Sequence, residues 1–192
     1  PRPLPRPRLR SSADGRASTC AALALDLPEK LAVFCPGAEY GPAKRWPARH
    51  FALLADLLGE TGHTVWLLGS EKDHPIAEEI VALAGPARLP FNLCGRTSLG
   101  QAIDLIAAAS LVVCNDSGLM HVAAALDRRL IALYGSSSPT FTPPLSERAT
   151  ILSLRLACSP CFQRRCPLGH LDCLNKLAPQ QVLAACLAEV AP

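Results

Sequence analysis

The residues best suited to chemistry lie in loops that each follow a short apolar run. The first loop is Pro36-Gly-Ala-Glu-Tyr-Gly-Pro-Ala-Lys-Arg-Trp-Pro47. Gly37 and Gly41 allow close backbone approach, and Lys44 with Arg45 sets two cations just ahead of a helix-period segment. Cations beside unpaired helical N–H groups make an anion site, and a diphosphate is its natural guest. The plainer alternative is a solvated basic loop. Pro47 suits a helix start, because its missing N–H would be unpaired there anyway.

The second loop, Leu68-Gly-Ser-Glu-Lys-Asp73, ends on a carboxylate. At that place in nucleotide-binding folds a carboxylate often accepts ribose hydroxyls, and Asp73 is equally a good N-cap. The third, Cys94-Gly-Arg-Thr-Ser-Leu-Gly-Gln101, has the glycine spacing of a phosphate-binding P-loop, but Gln101-Ala102 replaces the required Lys-Ser/Thr. A P-loop NTPase is excluded, and Ser98 with Gln101 reads instead as a capping box. No G-x-G-x-x-G follows the first apolar run, which weakens any dinucleotide dehydrogenase.

The fourth loop, Cys114-Asn-Asp-Ser-Gly-Leu-Met-His121, carries most weight. Asp116 or Ser117 is placed to cap the following helix, and Gly118 removes bulk where free N–H groups could receive phosphate. His121 lies one helical turn beyond Ser117, so both are expected to face one ligand. A capping pair plus a structural histidine is the alternative. Gly135-Ser-Ser-Ser-Pro139 then adds hydroxyls to the same rim, or is only a turn.

Positioning these loops requires alternating strands and helices. Apolar runs at 31–35, 64–68, around Leu93, and at 111–114, 130–134 and 149–154 read as strands. Helical spacing covers Pro47 to Glu60, Pro75 to Ala84, Leu99 to Ala109, the segment through Leu126, and Pro179 to Val190. Strands that are apolar throughout indicate an α/β Rossmann-like parallel sheet with helices on both faces. Residues 1–30 read as interdomain linker and lead-in, because PRPLPRPRLR resists helix and strand alike. Residues 31–192 read as one Rossmann-like domain with an irregular Cys-rich stretch at 156–178. A chain that opens on such a linker is expected to be a piece of a longer protein.

Composition narrows the function further. Of 192 residues 49% are hydrophobic and 18% charged, which allows a sizeable core and excludes disorder. The net charge is +3, but residues 1–16 hold five arginines and one aspartate, leaving −1 on the other 176. Nucleic-acid binding through a basic patch is therefore not expected. The apolar stretch from Ala102 to Cys114 is broken by Asp104 and Ser110, and none reaches the ~18 residues of a membrane span. Cys35, Cys94 and Cys114 sit in or beside apolar runs, as small buried thiols do, and a reducing cytoplasm is the expected compartment.

Together PGAEYGPAKRWP (Pro36–Pro47), NDSGLMHVAAAL (Asn115–Leu126) and YGSSSPTFTPPL (Tyr134–Leu145) resemble the ADP-heptose:lipopolysaccharide heptosyltransferases of glycosyltransferase family 9, most closely their type II branch. The resemblance runs from about Leu31 to the C-terminus. It implies the GT-B architecture, two Rossmann-like domains facing a cleft, of which this chain would be the C-terminal, donor-binding half. It further implies transfer of heptose from ADP-L-glycero-D-manno-heptose to the lipopolysaccharide inner core with inversion, without metal or other cofactor. The lipid-linked acceptor implies a cytoplasmic enzyme held peripherally at the inner membrane, with no nucleic-acid partner. On this resemblance Lys44 is the diphosphate ligand, and Asp116, Ser117, Gly118 and His121 match the donor-binding run. Lys44 and Asp116 are the catalytic candidates. Glu39 and Tyr40 fall beside the donor, Asp73 is the ribose ligand with Glu71 its competitor, and Thr97 meets the adenine through its backbone. The resemblance puts the base carboxylate in an N-terminal domain, so this chain is expected to bind ADP or ADP-heptose without turnover. Rival readings are a GT-B transferase with another nucleotide sugar and a zinc-stabilised nucleic-acid module.

Cys158, Cys161, Cys166 and Cys173, with His170 among them, have partial zinc-ligand spacing. The second pair is not C-x2-C, so reduced thiols packing an irregular loop are expected and no metal is assigned. Arg164 and Arg165 are expected to face water.

Overall fold

The computed structural model describes residues 5–188. Six parallel strands form one sheet: β1 (Leu31–Cys35), β2 (Thr64–Leu67), β3 (Phe91–Asn92), β4 (Leu111–Asn115), β5 (Leu130–Leu133) and β6 (Ala149–Leu152). Their spatial order is β3-β2-β1-β4-β5-β6. The chain winds outward from β1 to β3, returns, and winds outward again from β4 to β6. The reversal falls between β1 and β4, where Cys35 is in register with Cys114. In open parallel sheets the crevice beyond that reversal is where ligands bind.

Seven α-helices are described: α1 (Ala13–Ala22), α2 (Ala48–Glu60), α3 (His74–Leu83), α4 (Leu99–Ala108), α5 (Gly118–Ala125), α6 (Asp172–Asn175) and α7 (Pro179–Leu187). Side chains alternate across each strand, so the sheet splits its apolar residues between two cores. Phe34, Leu67, Val113 and Ile131 face α2, α3 and α7, meeting Phe51, Leu54, Leu58, Ile80 and Val182. Val33, Trp66, Val112 and Leu130 face the opposite layer and meet Leu105, Ile106, Met120 and Ala123 of α4 and α5. In α2 the residues Phe51, Leu54, Ala55 and Leu58 recur at helical spacing and are all buried. Its carboxyl end stops at Thr61, followed by Gly62 at φ 89°, a conformation that favours glycine. The capping box of α4 is present: Gln101 N–H donates to Ser98 Oγ at 3.3 Å and Ser98 N–H to Gln101 Oε1 at 2.9 Å.

The lead-in contains one helix that the sequence reading leaves out. Residues 5–10 lie outside helix and strand, but α1 follows, capped by Ser12 Oγ accepting from Gly15 N–H at 2.9 Å. It docks on α4 through Asp104, whose carboxylate accepts from Ser11 Oγ at 2.6 Å and Thr19 Oγ1 at 2.9 Å. The serine ahead of Asp14 is an ordinary helix-start signal that the neighbouring Pro/Arg run overshadows. Three smaller differences are that Pro47 stands just before α2, that α6 interrupts the irregular stretch, and that α7 is described only to Leu187. Pro1 to Leu4 and Glu189 to Pro192, Val190 of the expected last helix included, lie outside the described residues.

Core position should dominate stability on α2. Phe51→Ala empties a fully buried site between Phe34 and Trp46 and is expected to cost about 3–5 kcal/mol, whereas Leu53→Ala, on the exposed face, should cost under about 0.5 kcal/mol. Urea denaturation of the two variants checks this.

Candidate functional site

The loop after β1 is pinned to the rim at both ends by one buried side chain. Asn115 Nδ2 donates to Pro36 O at 2.7 Å, and Asn115 Oδ1 accepts from Trp46 N–H at 3.1 Å. Trp46, itself buried, donates its indole N–H to Leu177 O at 2.9 Å. Between these anchors Gly41, at φ 153°, lets the chain pass Arg164 O, which would lie only 2.6 Å from a Cβ there. A 3-10 turn, Pro42–Lys44, follows and presents Lys44.

Lys44 Nζ lies 2.6 Å from Asp116 Oδ2, with side chains only 16% and 4% exposed. Thr142 Oγ1 donates to the same carboxylate oxygen at 3.2 Å. The cationic turn and the amino end of α5 therefore meet, as the two loops predict. The capping expectation is corrected: Asp116 is turned to Lys44, and Ser117, at the N-cap position, makes no cap bond and sits 3.3 Å from Cys114 Sγ. The opening N–H groups of α5 are thus left without a side-chain cap, as an anion site requires. Below the pair, burial followed by the charge of Asp116 raises the Tyr134 phenol above its ordinary range, and its O–H donates to Thr142 O. It stays a neutral donor.

Two cavities open on this rim. The larger, about 530 Å³, lies over the reversal between β1 and β4, with Gly37, Glu39, Asp73, Thr97, Ser117 and Gly118 among its lining. Cys35 and Leu68 give it an apolar floor. Asp73 makes no cap bond to α3; its Oδ2 accepts from Ser70 N–H at 2.9 Å and Ser70 Oγ at 2.8 Å. Its Oδ1 stands 3.9 Å from Arg45 Nη2. Glu71 instead stands over Gly95 and does not line this cavity. Glu39 is paired with Lys72 at 2.7 Å; that hydrogen bond, reinforced by the ammonium's charge, holds the exposed carboxyl below its usual range. Burial pushes the neighbouring Cys94 thiol up to about 12, with Asp73 adding to the effect.

The second cavity, about 410 Å³, is lined by Tyr40, Lys44, Ser138, Phe141, Thr142 and Phe162 among others. Tyr40 O–H donates to Phe162 O at 2.7 Å, and its ring lies 5.2 Å from Lys44 Nζ and 5.1 Å from the Arg164 guanidinium. Phe141 and Phe162 meet edge to face at 5.5 Å. Lys44 of this cavity binds Asp116, whose neighbour Ser117 lines the first, so the ion pair stands at the join between the two.

Of the residues expected at the site, Glu39, Asp73, Thr97, Ser117 and Gly118 share the first cavity, Tyr40 and Lys44 the second, and Asp116 links them. His121 is the exception. It is exposed on α5 and lines neither cavity, whereas Leu119 and Val122 on either side of it line the first; about 100° of rotation per residue turns His121 to a different face of the helix. Asn115, Phe141 and Thr142 lie within the segments that carry the family resemblance but have no expected role of their own, and Phe162 lies outside those segments. A polar residue closing an otherwise apolar strand signals Asn115; nothing in local spacing signals the other three.

Similarity to known proteins identifies the family. The family model described as glycosyltransferase family 9 (heptosyltransferase) matches residues 1–172. The chain is 46% identical over 185 residues to lipopolysaccharide heptosyltransferase 2 of Escherichia coli, covering 95% of this chain and 53% of that protein. It is 57% identical over 123 residues to lipooligosaccharide heptosyltransferase 2 of Haemophilus influenzae, covering 63% and 36%. The solved structure of E. coli ADP-heptose LPS heptosyltransferase II superposes with a TM-score of 0.86 at 45% identity, over 96% of this chain and 54% of that one. The chain spans about half the length of the curated relatives it matches. With the parallel sheet, the cationic turn and the helix end at its reversal point in place, this chain belongs to glycosyltransferase family 9, the heptosyltransferases.

Proposed function

We propose that this chain binds the nucleotide-sugar donor, ADP-heptose, for an inverting transfer of heptose to the lipid-linked inner core of lipopolysaccharide. The observation that carries the reading is the Lys44–Asp116 pair at the join of two cavities, one suited to a nucleoside and the other to a sugar. A diphosphate spanning that join lies beside the Lys44 ammonium and the amino end of α5. In the first cavity Asp73 is the acceptor for ribose hydroxyls, Thr97 stands at the base, and Glu39 is at the mouth. In the second, Ser138 and Thr142 supply hydroxyls and the aromatic rings an apolar wall for the heptose.

Glycosyl transfer with inversion builds negative charge on the departing diphosphate, and preset donors stabilise it without reorganisation. Lys44, oriented by Asp116, and the free N–H groups at Gly118 and Leu119 fill that role. Asp116 already accepts from Lys44 and Thr142, which suits it to orienting Lys44 rather than to taking the acceptor's proton. The acceptor's lipid linkage would hold the working enzyme at the cytoplasmic face of the inner membrane; among the described residues no helix is long and apolar enough to cross it.

Calorimetric titration tests the reading. ADP and ADP-heptose are expected to bind and UDP to bind at least about 10-fold more weakly; equal affinity for UDP would sink the adenine assignment. Lys44→Ala should weaken ADP by about 10- to 100-fold, the range for a hydrogen bond to a charged group. A second variant separates the two ends of the site. A Cβ at Gly37 would lie 2.3 Å from the Asp73 carboxyl, so Gly37→Ala must displace Asp73. ADP affinity should then fall about 3- to 10-fold while inorganic pyrophosphate binds as before. Unchanged ADP affinity would remove Asp73 from the ribose site.

A further inference from the structure

Behind the Lys44 turn lies a third, very small cavity that the nucleotide reading does not use. Its volume is about 20 Å³, and Cys158, Cys161, Cys166, Cys173 and His170 all line it. A space of that size admits one water or one ion. Water is poorly served there, since thiols are weak hydrogen-bonding partners. Ser136 contributes to the same wall, and its Oγ is buried with no hydrogen-bond partner. None of the four cysteines is in a disulfide.

The chain is folded to bring these sulfurs together from separate places. Cys158 and Cys161 come from the loop after β6, Cys166 from the turn that follows, and Cys173 from the buried first turn of α6. Cys166-Pro-Leu-Gly169 closes a tight turn, with Gly169 N–H donating to Cys166 O at 3.2 Å and Gly169 at φ 74°. Leu171 N–H reaches Cys166 Sγ at 3.4 Å, the kind of backbone donation that favours a thiolate. His170 is engaged otherwise: its Nδ1 accepts from Asp172 N–H at 2.9 Å. Four sulfurs and one occupied imidazole thus surround a one-ion space. Among the described residues no three such groups already stand at ligating distances.

We propose that Cys158, Cys161, Cys166 and Cys173 form a tetrathiolate site for a soft divalent cation, zinc or ferrous iron. Four thiolate ligands with no open position make a structural site, and soft sulfur ligands select these metals. The ion would draw in side chains that share its cavity and release their thiol protons. Its place in the molecule gives it a task. The same loop supplies Arg164 O to Ala43 N–H at 3.2 Å, Phe162 O to the Tyr40 hydroxyl, and Phe162 N–H to Ser136 O at 2.7 Å. A metal there would fasten the loop that backs the Lys44 turn and carries Phe162 into the second cavity. The site stands on its own residues, whether or not the nucleotide reading holds.

The test is elemental analysis of the protein, grown with added zinc and purified without chelator under reducing conditions. About one equivalent of zinc or iron per chain is expected. Cys161→Ser and Cys166→Ser should each abolish it, while Cys20→Ser, a thiol outside the cluster, should retain it. Cobalt added to chelator-stripped protein should give thiolate-to-metal charge-transfer and tetrahedral d–d bands, and p-hydroxymercuribenzoate should release zinc from the unmodified protein in one step. These last two readings decide the matter if a serine variant fails to fold. Metal-free protein without cobalt bands would overturn the proposal. So would metal that survives both cluster substitutions, an adventitious ion only, or recovery of the four cysteines as disulfides.

Discussion

One buried amide governs where the chemistry of this domain can happen. Asn115 closes β4 with both halves of its side chain committed, donating to Pro36 and accepting from the Trp46 backbone, so a twelve-residue loop is held by its two ends. Buried polar groups cost stability unless paired, and a fully paired one permits a single geometry. That geometry brings Lys44 onto Asp116, the residue next to the clamp. An ion pair with so little solvent access cannot lose one partner cheaply, because the other is left as an uncompensated charge. Loop, lysine and helix end therefore stand or fall as a unit.

The topology explains why this unit sits where it does. The strand order turns back between β1 and β4, so the loops leaving those neighbours diverge to opposite faces and leave a crevice. Family 9 membership adds identity to that crevice without altering the physical account. On the donor reading proposed above, phosphate would be met by a cation and an uncapped helix end, the nucleoside by Asp73 and small-residue backbone, and the sugar by hydroxyls and rings.

Much of this was legible in the residues. Fully apolar strands, Leu-rich helical spacing and the Ser98–Gln101 box announced a parallel α/β sheet, and the two glycine-bearing loops announced the meeting of Lys44 with the amino end of α5. Three things were not legible, for different reasons. The helix α1 hides behind a proline and arginine run whose local preferences are the opposite of its own. Ser117 looks like a cap by residue type, yet its hydroxyl turns to Cys114, a choice made by packing rather than by sequence spacing. The second cavity gathers Tyr40, Lys44, Ser138, Thr142 and Phe162 from points spread along the chain, and no periodicity links residues that only the fold brings together.

The rings around that second cavity have a further bearing on traffic. Tyr40, Phe141 and Phe162 are 38%, 75% and 46% exposed, so the outer threshold of the pocket is a ledge of aromatic edges. Such surfaces give up water readily yet stack against the C–H faces of a polyol. On the donor reading proposed above, a sugar crossing the ledge would shed part of its hydration shell before meeting Ser138 and Thr142, and would reach the ammonium of Lys44 in drier surroundings. There the same charge acts through a lower effective dielectric and exerts a stronger pull.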